Sequence, residues 1–236
     1  MKNLGILLAI LLAVTSCKEE VPPLTFNSEE ILIKSDAEIN VLLTKALSGS
    51  EVADKINSAI NNEIVKSISG ASSSRSLDKA LLNFDKEFVD YKNNFPEDEQ
   101  DWTLDIESEL TYQSPEIVTI AISIYIDKGG AHGNDSIRFL NFDPLTGNLL
   151  RHSDIISDIE KFKTLAKSYF KTSNTLEDSA IDDMFIDKTF KLPENIGFTE
   201  DGLVLLYNIY EIESYNPGYT EFVIPFKAAQ PYLKIY

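Results

Sequence analysis

A change in hydrophobic periodicity near residue 102 constrains the fold of this chain more than any other sequence feature. Before it, apolar residues recur every three or four positions over residues 52–68 and 77–95, which is typical of helices with one buried face. After it, apolar and polar residues alternate over residues 102–112 and 118–126, which is typical of strands with one buried face. The sequence therefore predicts two helices followed by two consecutive strands.

The rest of the chain adds further strands and one more helix to this pattern. We predict strands at residues 29–34, 39–47 and 138–142, although residues 39–47 could also be helical. A third helix is predicted over residues 155–169, followed by three more strands at residues 196–198, 203–212 and 219–226. Residues 173–191 are acidic and weakly periodic, so they receive no assignment. This order of elements predicts an α+β fold, with a mostly antiparallel β-sheet and helices packed on one face.

The N-terminus has the features of a secretion signal. Residues 4–14 carry no charge, a length that suits the core of a signal peptide but falls short of the ~20 residues that span a bilayer. Small residues then precede Cys17, which resembles a bacterial lipobox whose cysteine becomes lipidated. We therefore predict a signal peptide at residues 1–16 and a lipidated cysteine with a tether at residues 17–25. The alternative is that Cys17 is an ordinary buried thiol.

Charge and the residues after the cysteine bear on location and partners. Residues 18–20, Lys-Glu-Glu, resemble a signal that exports lipoproteins to the outer face of the outer membrane, whereas a plain charged linker would leave the protein facing the periplasm. The net charge of −17 disfavours nucleic acid and favours basic partners. We therefore expect a surface-exposed outer membrane lipoprotein that contacts the membrane through the lipid on Cys17 and binds no nucleic acid.

The glycine-rich segment at residues 129–133 is the main candidate for chemistry. His132 lies within it, and together with Asp127 and Asp135 it could form a metal or acid–base cluster. The alternative is structural: the glycines permit unusual backbone angles and His132 hydrogen-bonds across the turn. No zinc, phosphate-loop or serine-hydrolase motif is present, so we expect no metal, no cofactor, no catalytic residue and no enzymatic activity.

Exposed tyrosines point to binding instead. Two tyrosines flank an Asn-Pro-Gly turn at residues 216–218, and tyrosine is favoured at interfaces because its side chain is large, rigid and amphipathic. Together with the glycine-rich segment, they form the predicted binding residues: Gly129, Gly130, His132, Gly133, Asn134, Tyr215 and Tyr219.

Two stretches of sequence also resemble a known family. They are residues 125–134, Tyr-Ile-Asp-Lys-Gly-Gly-Ala-His-Gly-Asn, and residues 210–219, Tyr-Glu-Ile-Glu-Ser-Tyr-Asn-Pro-Gly-Tyr. This pair is similar to the RsiV/PdaC-like extracytoplasmic domains, found in a lysozyme-binding anti-sigma factor and in a peptidoglycan deacetylase. The likeness spans nearly the whole chain after the predicted tether.

The resemblance implies a two-part domain and a binding function. The N-terminal, PdaC-like part would cover residues 26–113 and the C-terminal, RsiV-like part residues 114–236. No sigma-binding segment, membrane-spanning helix or deacetylase domain is recognised, so we expect this domain alone on a lipid anchor. Its partner would be a lysozyme-like basic protein or peptidoglycan. The alternative is a small peptidoglycan or carbohydrate hydrolase that uses the glycine-rich segment.

Overall fold

The computed structural model describes most of the chain after the predicted tether. The described residues are 23–47, 49–69, 76–185, 187–209, 211–212 and 218–235. Two predicted site residues, Cys17 and Tyr215, lie outside them, as do the predicted signal peptide and most of the tether. The described residues form an α+β structure with one five-stranded and one three-stranded sheet, which confirms the predicted fold class.

The larger sheet contains five strands in sequence order. They are β1 (Phe26–Glu30), β2 (Glu38–Ala46), β3 (Thr103–Gln113), β4 (Val118–Asp127) and β5 (Asn134–Phe142). Neighbouring strands are antiparallel, except that β2 and β3 are parallel. Between β2 and β3 the chain forms α1 (Glu51–Ser69) and α2 (Leu77–Asn94). A parallel pair requires such a crossover, because the chain must return to the same end of the sheet.

Both helices pack on one face of the larger sheet, as predicted. Trp102, directly before β3, contacts the rings of Phe84 and Phe88 from α2, with centroids 5.8 Å apart in each case. Every second residue of β4 points into this core, because successive strand side chains alternate between the two faces. The buried apolar residues include Val41, Ile56, Ile60, Ile64, Leu81, Phe84, Leu104, Ile120, Ile122 and Ile124.

The chain after residue 150 forms a second module around a three-stranded antiparallel sheet. Its elements are α3 (His152–Ile155), α4 (Ile159–Ser173), α5 (Asp178–Asp183), β6 (Asn195–Thr199), β7 (Gly202–Tyr207), β8 (Thr220–Ile224), α6 (Phe226–Ala229) and a 3-10 turn (Gln230–Tyr232). The core of this module is centred on Phe170 of α4, which is fully buried. Its ring contacts those of Phe185, Phe190, Tyr207 and Phe222.

Three element predictions in this module need correction. The predicted third helix is two helices, because α3 ends at Ile155 and Asp158 caps the start of α4 by accepting a hydrogen bond from the Lys161 amide at 3.1 Å. The unassigned acidic segment contains α5, whose Ile181 is fully buried. Strand β7 ends at Tyr207, earlier than the predicted end at residue 212.

The structure also moves the boundary between the two parts of the chain. We expected the N-terminal part to end at residue 113, but β3 and β4 pair across that position, and β5 pairs with β4 in turn. Strands that share main-chain hydrogen bonds belong to one sheet, so the first module continues to Phe142. The change to the second module comes in the turn at residues 143–150.

Asparagine side chains join the two modules. The Asn208 amide group donates from Nδ2 to the Ile137 carbonyl at 2.9 Å and accepts from the Ile137 amide at 2.8 Å. It therefore pairs with the outer edge of β5 much as another strand would. The buried Asn141 of β5 donates from Nδ2 to the Ile196 carbonyl of β6 at 2.7 Å. Since these bonds engage main-chain groups of both modules, we expect the modules to unfold together.

His152, at the start of α3, predicts a specific dependence of stability on pH. Burial lowers the pKa of its imidazole, and the neighbouring Glu194 offsets that effect only in part. In the unfolded chain the pKa is about 6.5, so below neutral pH the unfolded state binds more protons than the folded state. The free energy of unfolding therefore falls as pH decreases through this range. We expect His152→Gln to lose less stability than the wild type between neutral and mildly acidic pH.

Urea unfolding at several pH values measures this difference. The matched control is Ser153→Ala, because Ser153 is the exposed neighbour of His152 in α3. This control changes no titratable group, so it should show the same pH dependence as the wild type. An equal loss of stability on acidification in His152→Gln and in the wild type would contradict the prediction.

Candidate binding site on the open face of the larger sheet

The second module contacts one end of the sheet face that lies opposite α1 and α2, where Thr111 donates from Oγ1 to the Phe198 carbonyl at 2.8 Å. Toward the other end of the sheet, the side chains on this face are exposed or half-buried. We call this end the open face, and it carries Asn40, Leu42, Asp105, Glu107, Ser123, Tyr125 and Asp135.

Strand register brings the acidic side chains of the open face together. Tyr125 of β4 lies directly opposite Asp105 of β3 on one side and Asp135 of β5 on the other. Glu107 lies opposite Leu42 of β2. Side chains directly opposite on neighbouring strands are close enough to interact, so the open face presents a tyrosine flanked by carboxylates.

Tyr125 is at the centre of this arrangement. Its hydroxyl donates to Asp127 Oδ2 at 3.3 Å. Burial raises the pKa of Tyr125, and the negative charges of Asp127, Asp105 and Asp135 raise it further. The charged groups that shift the pKa of Tyr125 are therefore all carboxylates. A cationic group placed against the ring would gain from these carboxylates and from the π-face of the tyrosine.

The glycine-rich segment is the turn between β4 and β5, and it is fixed at its start. Lys128 pairs with Glu87 of α2, with 2.7 Å between Nζ and Oε2, and its Nζ lies 5.1 Å from the Trp102 ring. Gly129 has a φ of 74° and donates its amide to Asp127 Oδ1 at 2.9 Å. A positive φ of this kind favours glycine, which accounts for the residue at this position.

The later part of the turn places the remaining predicted residues. The His132 ring is exposed, and its Nδ1 lies 2.9 Å from the Gly133 carbonyl, so it contacts its neighbour rather than the opposite side of the turn. Gly133 packs directly under the Tyr125 ring, since a Cβ at this position would lie 2.4 Å from it. Asn134 is exposed and begins β5.

Tyr219 is brought to the same place from the second module. Its hydroxyl is buried beside Asp135 without a well-formed hydrogen bond among the described residues. Burial raises the pKa of Tyr219, and the adjacent Asp135 carboxylate raises it further. Two stretches that are far apart in sequence, the glycine-rich turn and the segment before β8, therefore meet at Asp135.

The site combines aromatic rings with carboxylates, a composition that suits basic groups. Within the described ranges, no group of three His, Cys, Asp or Glu side chains is placed to hold a metal ion. His132 and Asp135 both lie near the turn. Among the hydrogen bonds of the described residues, however, the His132 ring contacts only the carbonyl of its neighbour Gly133. None of the described helices has the length and apolar character needed to span a membrane.

The sequence prediction missed three residues of this site. Asp105, Glu107 and Tyr125 were recognised only as the polar positions of alternating strands. The signal was nevertheless present, because alternation places all three on the face opposite the core. What was lacking was the register between β3 and β4, which decides that Asp105 lies opposite Tyr125.

Comparisons with known proteins agree with this architecture. Residues 27–135 match the family described as "Deacetylase PdaC", and residues 150–227 match the family described as "Protein of unknown function (DUF3298)". The two matches correspond closely to the two structural modules. Curated protein sequences contain no significant match to the chain.

Solved structures extend the likeness to the whole fold. A DUF3298 family member from Bacteroides fragilis aligns over 91% of this chain and 95% of its own, with a TM-score of 0.67 and 19% identity. A DUF3298 family protein from Pseudomonas aeruginosa aligns over 91% and 96%, with a TM-score of 0.64 and 17% identity. At these identities the structural likeness establishes the fold alone. A match to the PdaC family followed by a match to the DUF3298 family is consistent with a PdaC/RsiV-like domain.

Proposed function

We propose that this protein is an envelope lipoprotein whose folded part binds a basic protein of the lysozyme class without catalysing a reaction. The observation that carries the proposal is the surroundings of Tyr125. Its hydroxyl donates to Asp127, and it lies directly opposite Asp105 and Asp135 on the neighbouring strands. Tyr219 approaches from the second module. Aromatic rings beside carboxylates can receive lysine and arginine side chains through ion pairs and cation–π contacts.

The overall charge supports the same class of partner. A net charge of −17 attracts basic proteins over a distance and speeds their association at low salt. Salt weakens long-range electrostatic attraction. It weakens a close, partly buried contact between a basic side chain and the site much less. The two contributions can therefore be separated by measuring binding at different ionic strengths.

The proposed location follows from the N-terminal sequence. The apolar run at residues 4–14 and the small residues before Cys17 support lipidation of that cysteine. The Lys-Glu-Glu sequence at residues 18–20 supports display on the outer face of the outer membrane. A binding domain held there would meet basic proteins that attack the cell wall before they reach it.

Asp135→Asn tests the site, because it removes one negative charge between Tyr125 and Tyr219 and keeps the size of the side chain. We expect it to weaken binding of a C-type lysozyme by about tenfold or more, the scale measured for close interfacial charge pairs. The matched control is Asp201→Asn, which removes an exposed charge from the turn between β6 and β7. This control should leave the affinity within about twofold of the wild type.

Three outcomes would contradict the proposal in whole or in part. Equal effects of Asp135→Asn and Asp201→Asn would mean that net charge rather than the site is responsible. Turnover of peptidoglycan fragments that is abolished by His132→Ala in a folded variant would favour the hydrolase alternative. Binding of peptidoglycan but not of lysozyme would keep a binding function and reassign its ligand to a glycan.

A further inference from the structure

The open face continues into a groove beyond the site at Tyr125. After β1 the chain continues beside β2, where the Ile31 amide donates to the Val41 carbonyl at 2.9 Å. A groove of about 540 Å³ is lined by residues 30–33 and by residues of strands β2 to β4. We call it the face groove. Its main lining side chains are Glu30, Leu32, Leu42, Asp105, Glu107 and Tyr125.

Two leucines in the face groove are exposed. Leu32 is 85% exposed and Leu42 is 40% exposed, although both line the same groove. Single exposed apolar residues are ordinary, but two that share a concave surface form a patch that another apolar side chain can cover. The groove therefore presents two apolar side chains that a residue such as leucine, isoleucine or valine can cover.

The rim of the face groove is acidic. Glu30, Asp105 and Glu107 supply its charged side chains, and none of the lining residues is basic. Asp105 also accepts a hydrogen bond from Asn40 Nδ2 at 2.8 Å, which holds its carboxylate on this face. Lys45 of β2 does not neutralise this rim, because it pairs with Glu29, with 2.7 Å between Nζ and Oε2.

We propose that the face groove receives an extended segment of the basic partner in which an apolar side chain is flanked by lysine or arginine. The apolar side chain covers Leu32 and Leu42, and the flanking cations lie against Glu30 and Glu107. This inference rests on the proposed function, because it assigns part of the same partner to the groove. Tyr125 lines the groove and also belongs to the site beside Asp135, so one partner can occupy both.

The test uses short synthetic peptides with a fluorescent label, followed by anisotropy at physiological salt. A peptide of alternating lysine and leucine should bind saturably. A peptide of alternating lysine and serine should bind at least about tenfold more weakly, because it keeps the charge and lacks the apolar side chains. A peptide of alternating glutamate and leucine should not bind, because its charges repel the acidic rim.

Two variants and two matched controls locate the binding. Leu42→Ser and Glu107→Gln should each weaken binding of the lysine–leucine peptide by about tenfold. Leu82→Ser changes a leucine that is 52% exposed on α2, away from the groove, and Glu160→Gln removes an exposed charge from α4. Both controls should bind the peptide as the wild type does. Unchanged circular dichroism checks that each variant is folded.

The same proteins are then titrated with a C-type lysozyme, so that the two proposals can fail separately. Equal binding of the lysine–leucine and lysine–serine peptides, or equal losses in Leu42→Ser and Leu82→Ser, would overturn the groove inference. Lysozyme binding that survives in Leu42→Ser and Glu107→Gln would also overturn the groove inference, but it would leave the proposed function in place. Peptide binding without any lysozyme binding would overturn only the assignment of the partner to the lysozyme class.

Discussion

Phe170→Ala is expected to lower the free energy of unfolding by about 3–5 kcal/mol, the usual cost of removing a buried phenylalanine ring. Phe170 is fully buried and contacts four other aromatic rings, two from the segment between α5 and β6, one from β7 and one from β8. Its removal leaves a cavity that these elements cannot fill without moving the strands of the smaller sheet. Urea unfolding followed by circular dichroism measures the loss.

The matched control for this prediction is Phe95→Ala. Phe95 follows α2 and is 57% exposed, so the same substitution should cost less than about 1 kcal/mol there. The single tryptophan, Trp102, belongs to the first module, and its fluorescence reports the unfolding of that module. If the asparagine contacts join the modules as described, Phe170→Ala shifts both signals together. A loss below about 1 kcal/mol would contradict the assigned core.

Gly133→Ala is expected to destabilise the protein by about 1–3 kcal/mol, the range for forcing extra atoms into a packed site. The new Cβ would lie 2.4 Å from three atoms of the Tyr125 side chain, so the ring has to leave its position among the carboxylates. We therefore expect a second effect, which is weaker binding of a C-type lysozyme. Thermal unfolding and calorimetric titration measure the two effects on the same samples.

Gly130→Ala provides the control within the same turn. A Cβ at Gly130 has no neighbour closer than 3.9 Å, the carbonyl oxygen of His132. This substitution should change the stability by no more than about 0.5 kcal/mol and should leave the affinity unchanged. Equal effects of the two substitutions would mean that flexibility of the turn matters and that the position of Tyr125 does not.

Much of the fold could be predicted from sequence because its main signals are local. The isoleucines of α1 recur every four residues and those of β4 every two, so each pattern identifies its element without reference to the rest of the chain. The parallel pairing of β2 with β3 could not be read in this way, because it depends on the path of the two helices between them. Helix α5 was missed because its acidic sequence is stabilised by tertiary contacts, including the Lys167–Asp182 pair, with 2.7 Å between Nζ and Oδ1.

Only the unusual residues of the candidate site could be predicted from the sequence. Gly129 and Gly133 were noticed because glycines cluster there, and each has a physical reason to be glycine: a positive φ at Gly129 and the Tyr125 ring at Gly133. Tyr219 was identified from the nearby turn. Asp127 and Asp135 were noticed beside His132, but Asp105 and Glu107 escaped notice because an acidic chain has many carboxylates. Only strand register shows that Asp105 lies beside Tyr125.

Calorimetric titration of the soluble fragment 21–236 with a C-type lysozyme, at low and at physiological salt, tests the central claim most directly. We predict saturable binding that weakens as salt increases but persists at physiological salt, because the side chains around Tyr125 make close contacts as well as contributing long-range charge. Binding at low salt that disappears at physiological salt would contradict the site, since it would leave only nonspecific attraction. No binding at either concentration would contradict the assignment of a lysozyme-class partner.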